Sequence, residues 1–287
     1  MMKPYIKNFI PYALCAFMIS LIGGFSSVLG PAFVNDIGIE YNNTTWTALA
    51  TAVASATFAP ILGKLSDIWG RRKILLAGIF IFMLGNILTA TADSLLYMIF
   101  ARIIVGAGAA SATPIIISYI VTAFPPEAVA KGFSLYMLIS SSAVIFGPTI
   151  GSLIIGKYSW RIMVWTCVFI ILSTFIICFF TIHENKISQN RSTAFDYPGS
   201  ILNILFFSLL LCIPSFGQNF GWTSNSFTII LTLALLVLPA LIFTERKAKY
   251  PLLPPAFIMR KAFIIPMLIL FLTQGFHNKL SSLHLLP

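Results

Sequence analysis

The chain of 287 residues is 58% hydrophobic and only 9% charged, and it carries 26 phenylalanines, a content that a soluble domain of this size cannot hide from water. Its formal charge is +10, from 18 basic and 8 acidic residues. Basic connections facing anionic lipid account for that excess, so no nucleic-acid partner is required.

The apolar residues gather into runs of about 18 to 25 without an acidic side chain, enough for a helix to cross about 30 Å of hydrocarbon. In chain order they predict spans at 9–33, 45–63, 74–92, 95–120, 131–156, 162–182, 199–217 and 225–244, with a ninth beginning near Phe263. The expected fold class is an all-α polytopic membrane protein. The first run is longer than the apolar core of a secretory leader and ends without a small-x-small cleavage site, so it reads as a retained span. All eight acidic residues (Asp36, Glu40, Asp67, Asp93, Glu127, Glu184, Asp196 and Glu245) fall in connections or at span ends, as the cost of a charge in lipid requires. With a cytoplasmic N-terminus, fourteen Lys and Arg residues lie inside and only Lys157 and Arg161 outside, which sets the orientation. Cys15, Cys167, Cys178 and Cys212 all sit inside spans without C-x-x-C spacing and read as packing residues, with no metal or cofactor implied.

Between the second and third spans lies GKLSDIWGRRK, Gly63 to Lys73. Gly63 is expected to end the second span, Gly70 to allow a tight turn, and Asp67 to bind a backbone amide or a cation. Arg71, Arg72 and Lys73 hold the next span's start on the cytoplasmic side. Arg102, in the sequence RIIVGAGAA with Gly106 one turn on, is the only basic residue inside the first six spans. Such a charge costs about 2.5–3.5 kcal/mol at a helix centre. It either snorkels to the outer headgroups or faces a cavity, and an intramembrane charge is by default a functional candidate. In the fifth span, Ala143, Gly147 and Gly151 recur every fourth residue as a smooth stripe, while Pro148 removes one backbone hydrogen bond and is expected to bend the helix.

The order G-x-L-x-D-x-x-G-R-R-K after the second span, R-I-I-V-G-A-G in the fourth, and A-x-x-x-G-P-x-x-G-S in the fifth resemble three signatures of the major facilitator superfamily. Trp160-Arg161, FDYPG (Phe195 to Gly199), Gly221-Trp222 and PLLPPAFIMRKAF are similar to its fourteen-helix drug:proton antiporters, up to about Phe276. The resemblance implies an amino-terminal six-helix bundle of two inverted three-helix repeats (1–182), a cytoplasmic linker with two extra spans (183–244), and a connector with an incomplete ninth span and an anomalous tail (245–287). It implies that Gly63, Asp67, Gly70, Arg71 and Arg72 form a conformational latch. Arg102 and Gly106 would lie on a cavity and proton pathway, and Gly147, Pro148 and Gly151 would form the bend found in exporters. The activity implied is proton-coupled efflux of small amphipathic, often cationic, compounds across the plasma membrane. Phe25, Tyr136 and Met137 are candidates for apolar contact with such compounds, weighed against plain helix packing.

Ala143 and Ser152 depart from the glycines of the fifth-span signature, and Ile22 to Pro31 lacks the acidic residue usual in the first span of that group. No other carboxylate is expected inside a span, which leaves the proton carrier unassigned. The remaining alternative is a non-transporting membrane protein, inactive or completed by another chain or by self-association. A membrane enzyme lacks support: there is no H-E-x-x-H motif, no carboxylate pair in a span, and no serine or cysteine partnered with a histidine there.

Overall fold

A computed structural model describes residues 4–38, 41–183 and 196–248. The ninth span expected near Phe263 and the tail after Phe276 lie outside the described residues. The elements are α1 (Pro4–Ile37), α2 (Tyr41–Trp69), α3 (Arg71–Ala90), α4 (Leu95–Ala109), α5 (Ala112–Ala123), α6 (Val129–Lys157), α7 (Trp160–Thr181), α8 (Tyr197–Phe220) and α9 (Asn225–Lys247), with a 3-10 turn at Pro126–Ala128. Among the described residues there is no strand. Among the described residues seven helical segments are long and apolar enough to cross a membrane, α4 and α5 counting together as Leu95–Ala123, while the apolar part of α8, Pro198–Pro214, is shorter.

The helices overrun the apolar runs that announced them. α1 begins at Pro4 and α2 runs from Tyr41 to Trp69, beyond the 45–63 read from hydropathy. Hydropathy marks where hydrocarbon begins, whereas the backbone ladder continues into the interface. Gly63 therefore does not end the second span. It lies inside α2, where an added Cβ would sit 3.2 Å from Pro114 Cβ of α5. The fourth span is interrupted at Ala110–Ser111, where the Ser111 amide bonds Gly108 O three residues back. Pro114 explains the break: it has no N–H for the Ala110 carbonyl, and its ring crowds that turn, but it is tolerated in the first turn of a new helix.

α1 packs along α6 and α7, α2 along α4, and α3 along α4 and α7, while α8 pairs with α9 and leans on α2. The interior holds Met18, Phe25, Phe33, Leu75, Ile79, Met98, Ile115, Met163 and Ile171, all essentially inaccessible. Ile145 and Phe146 on α6 and Leu235 and Leu236 on α9 face outward, as a hydrocarbon surround allows. Because lipid tails are as apolar as leucine, close backbone approach has to hold the bundle together. At the α1–α6 seam an added Cβ on Gly147 would lie 2.7 Å from Gly24 Cα. α6 continues through Pro148 as one helix.

Candidate functional site: a cavity around a buried arginine

Ser26, Ser27 and Phe33 of α1, Thr47, Ala48 and Thr51 of α2 and Arg102 of α4 are among the residues that line a cavity of about 570 Å³. Arg102 is 4% exposed, so it does not snorkel to the headgroups. Its Nη1 donates to Ser26 Oγ at 3.3 Å, and the guanidinium carbon lies 5.8 Å from the centre of the Phe33 ring. Its Nε has no hydrogen-bond partner among the described residues. Four of the hydroxyls around it are committed to carbonyls of their own helices: Ser26 to Ile22, Ser27 to Gly24, Thr47 to Thr44 and Thr51 to Thr47. Their free capacity is as acceptors.

Gly106, one turn from Arg102, is what lets α2 come so near. A Cβ there would sit 2.3 Å from Thr51 O and 2.8 Å from Ala54 Cβ, and Ser55 Oγ donates to Gly106 O at 3.0 Å. The residues singled out in the sequence thus fall in three places. Arg102 borders the cavity with Gly106 beside it. Gly147 and Gly151 lie on the other side of α1, where an added Cβ on Gly151 would meet Val28 and Phe25. The Asp67 to Arg72 group stands apart at one end of the bundle.

In that group Gly70 takes φ 98°, a left-handed conformation that a side chain would strain, and it joins α2 to α3 with no intervening loop. Asp67 and Arg71 are 4.0 Å apart across this joint. Arg71 Nη1 donates to Thr122 Oγ1 at the end of α5 (2.6 Å), and Arg72 Nη2 donates to Phe179 O near the end of α7 (2.7 Å). The two arginines therefore stitch the α2–α3 joint to the same ends of the fourth and sixth spans.

At the opposite end sits a cluster that the sequence reading missed. Arg161 Nη1 is paired with Asp36 Oδ2, and its Nη2 donates to Asp93 Oδ1 at 3.0 Å and to Ala92 O at 3.1 Å. Trp160 Nε1 donates to Asp36 Oδ2 at 2.8 Å, and its ring packs edge-on to Phe33 with centroids 5.0 Å apart. Phe33 is thus held between this cluster and Arg102. The sequence singled out Trp160 and Arg161 as a pair but gave no sign of their partners Asp36 and Asp93.

Glu245, in the last turn of α9, is 2% exposed, a buried carboxylate at a span end. The apolar candidates lie elsewhere than expected. Apolar contact at the cavity comes from Phe33, Ala48 and Ala52. Phe25 is core, Tyr136 packs against Thr113, and Met137 points outward. A second crevice of about 320 Å³, almost wholly apolar, opens between α2, α4 and α8.

The sequence model of the Major Facilitator Superfamily matches residues 12–286. The chain belongs to this superfamily. Its match runs past Phe276, into the tail that seemed out of pattern. Among curated superfamily members, the chain is similar to Multidrug resistance protein 3 of Bacillus subtilis, 27% identical over 84% of this chain and 47% of that protein. It is also similar to the Multidrug transporter protein MdtP of the same organism, 29% identical over 87% of this chain and 46% of that one. To the Multidrug export protein EmrB of Haemophilus influenzae it is 29% identical, over 81% and 46%. The chain spans about half the length of these relatives. Among solved superfamily structures, the human organic anion transporter MFSD10 (TETRAN) shares the fold, with a TM-score of 0.56 over 85% of this chain and 72% of that one at 15% identity.

Proposed function

We propose that the described helices form the amino-terminal half of an exporter that moves small amphipathic compounds out of the cell in exchange for protons. It would work by alternating access in the plasma membrane with its N-terminus in the cytoplasm. The opposing bundle is supplied from outside the described residues, by further chain or a second copy. The observation that carries this reading is the cavity between α1, α2 and α4 with Arg102 buried on its wall. A guanidinium retained among apolar helices marks a substrate or proton pathway, and the relatives named for multidrug resistance, transport and export support the same direction.

Within this reading Asp67 and Arg71 are the latch. Their contact, with those of Arg71 to Thr122 and Arg72 to Phe179, holds one end of the bundle closed, and losing a contact worth about 0.3–2 kcal/mol is enough to bias two conformers a few kcal/mol apart. Gly147, Pro148 and Gly151 keep α6 against α1 and supply the bend as the bundle rocks. The half-length coverage of the relatives favours one second reading, a membrane protein that transports nothing until another chain completes it.

The test uses everted vesicles from cells expressing the chain, energised to be acidic inside and offered an amphipathic dye. The export reading expects accumulation that collapses when nigericin dissipates the gradient and that fails in Arg102→Gln. Inserted, folded protein without accumulation contradicts export by this chain and supports the second reading. A single cysteine at Trp69, exposed beside the latch, should react with an impermeant maleimide only from the cytosolic side, and one at Tyr158 only from outside. The reverse pattern overturns the assigned orientation.

A further inference from the structure

We infer that the cavity around Arg102 selects an amphipathic monoanion, with its acidic group on the guanidinium and its apolar body against Phe33, Ala48 and Ala52. This rests on the export reading and narrows its substrate class. A guanidinium carries five N–H donors, and among the described residues Arg102 spends one hydrogen bond, on Ser26. Its Nε is unpaired although the residue is 4% exposed. A buried charge left this way is costly unless something pairs with it.

The described surroundings offer no charged partner. Among the described residues no carboxylate lines the cavity. Asp36, a turn beyond Phe33 on α1, is already held by Arg161 and Trp160. Ser27, Thr47 and Thr51 have committed their hydroxyl hydrogens to backbone carbonyls, so they neither neutralise an anion nor substitute for the guanidinium as donors. What they retain are acceptor lone pairs, which suit a hydroxyl or N–H on the ligand's body. A bare cation placed in this space meets a fixed positive charge with no compensating negative one. An anion meets a guanidinium, the group whose donors suit a carboxylate or sulfonate best. At about 570 Å³ the space admits an organic molecule of drug size, and an inorganic ion alone would leave the apolar wall uncovered.

The test is equilibrium dialysis of the purified full chain with labelled 1-naphthoate, competed by 1-naphthamide, 1-naphthylmethylammonium and acetate. These probes hold the ring constant and change the charge, or hold the charge and remove the ring. The expected result is saturable naphthoate binding, with the amide, the ammonium and acetate each at least about tenfold weaker. Arg102→Gln should abolish the preference over the amide, and Arg102→Lys should keep part of it, since a point charge replaces a fork. Absence of saturable binding overturns the inference, as do competitors that match naphthoate or a preference that survives Arg102→Gln. Should Arg102→Gln fail to fold, the unmodified chain's ranking of the four probes decides alone. A preference for the ammonium sinks the monoanion and leaves the export reading standing, whereas naphthoate binding without dye accumulation in vesicles does the opposite.

Discussion

Replacing Gly106 by alanine adds one methyl group at the place where α2 and α4 touch beside the cavity. The new Cβ would lie 2.3 Å from Thr51 O and 2.8 Å from Ala54 Cβ. The first figure is roughly 1 Å short of an ordinary carbon–oxygen contact, and a backbone oxygen inside a helix cannot rotate away, so the two helices must separate. Overpacking of this kind costs about 1–3 kcal/mol. The conformational gain of alanine over glycine within a helix returns about 0.5–1 kcal/mol, leaving a net loss of up to about 2.5 kcal/mol by these two ranges. Gly23→Ala is the control, because nothing lies within 4 Å of its added Cβ. It should be neutral or stabilising by up to about 1 kcal/mol. Reversible unfolding of the purified chain in mixed micelles, titrated with dodecyl sulfate and followed by circular dichroism, measures both. If Gly106→Ala is as stable as Gly23→Ala, α2 and α4 do not meet as described, and the wall that carries Thr51 opposite Arg102 is wrong.

The same titration separates the members of the outer cluster. Asp36→Ala strands the buried Trp160 N–H and should cost about 1–3 kcal/mol, while Asp93→Ala, at an 87% exposed side chain, should be indistinguishable from the parent. Equal losses would contradict the geometry. Cys15 and Cys178 have their sulfurs 3.2 Å apart between α1 and α7. Copper phenanthroline, an apolar oxidant that enters the bilayer, should therefore close an intramolecular disulfide that Cys178→Ser abolishes, and unreacted thiols after full exposure would argue against that packing.

The spans and their order were legible because hydrocarbon punishes every misplaced charge, so acidic residues mark the boundaries by exclusion. Family membership was legible in Gly63 to Lys73, since a run of charge and glycine there has no reason in composition alone. Gly63 itself was misread: glycine weakens a helix but does not end one, and the contact with Pro114 that favours it lies fifty residues away in sequence. The break at Ala110–Ser111 had its signal in Pro114, which hydropathy does not register. Arg102 stood out as a charge inside a span, but its neighbours Ser26 and Phe33 come from α1, and nothing local predicts a pairing of that range. The Arg161 cluster and the burial of Glu245 were hidden for the same reason, each depending on which helix ends the packing brings together.

The central claim is a water-reached cavity made positive by Arg102, and thiol chemistry at Ser27 tests it most directly. Ser27 is exposed on the cavity wall, whereas Phe146 on α6 faces outward at 55% exposure without bordering the cavity. In a Cys212→Ser background, Ser27→Cys should react with hydrophilic methanethiosulfonates, and the anionic sulfonatoethyl reagent should gain on the cationic trimethylammonium one relative to their rates with a free thiol. Phe146→Cys, in lipid, should react with neither. A Ser27→Cys that stays inert, or that prefers the cationic reagent, would contradict the account.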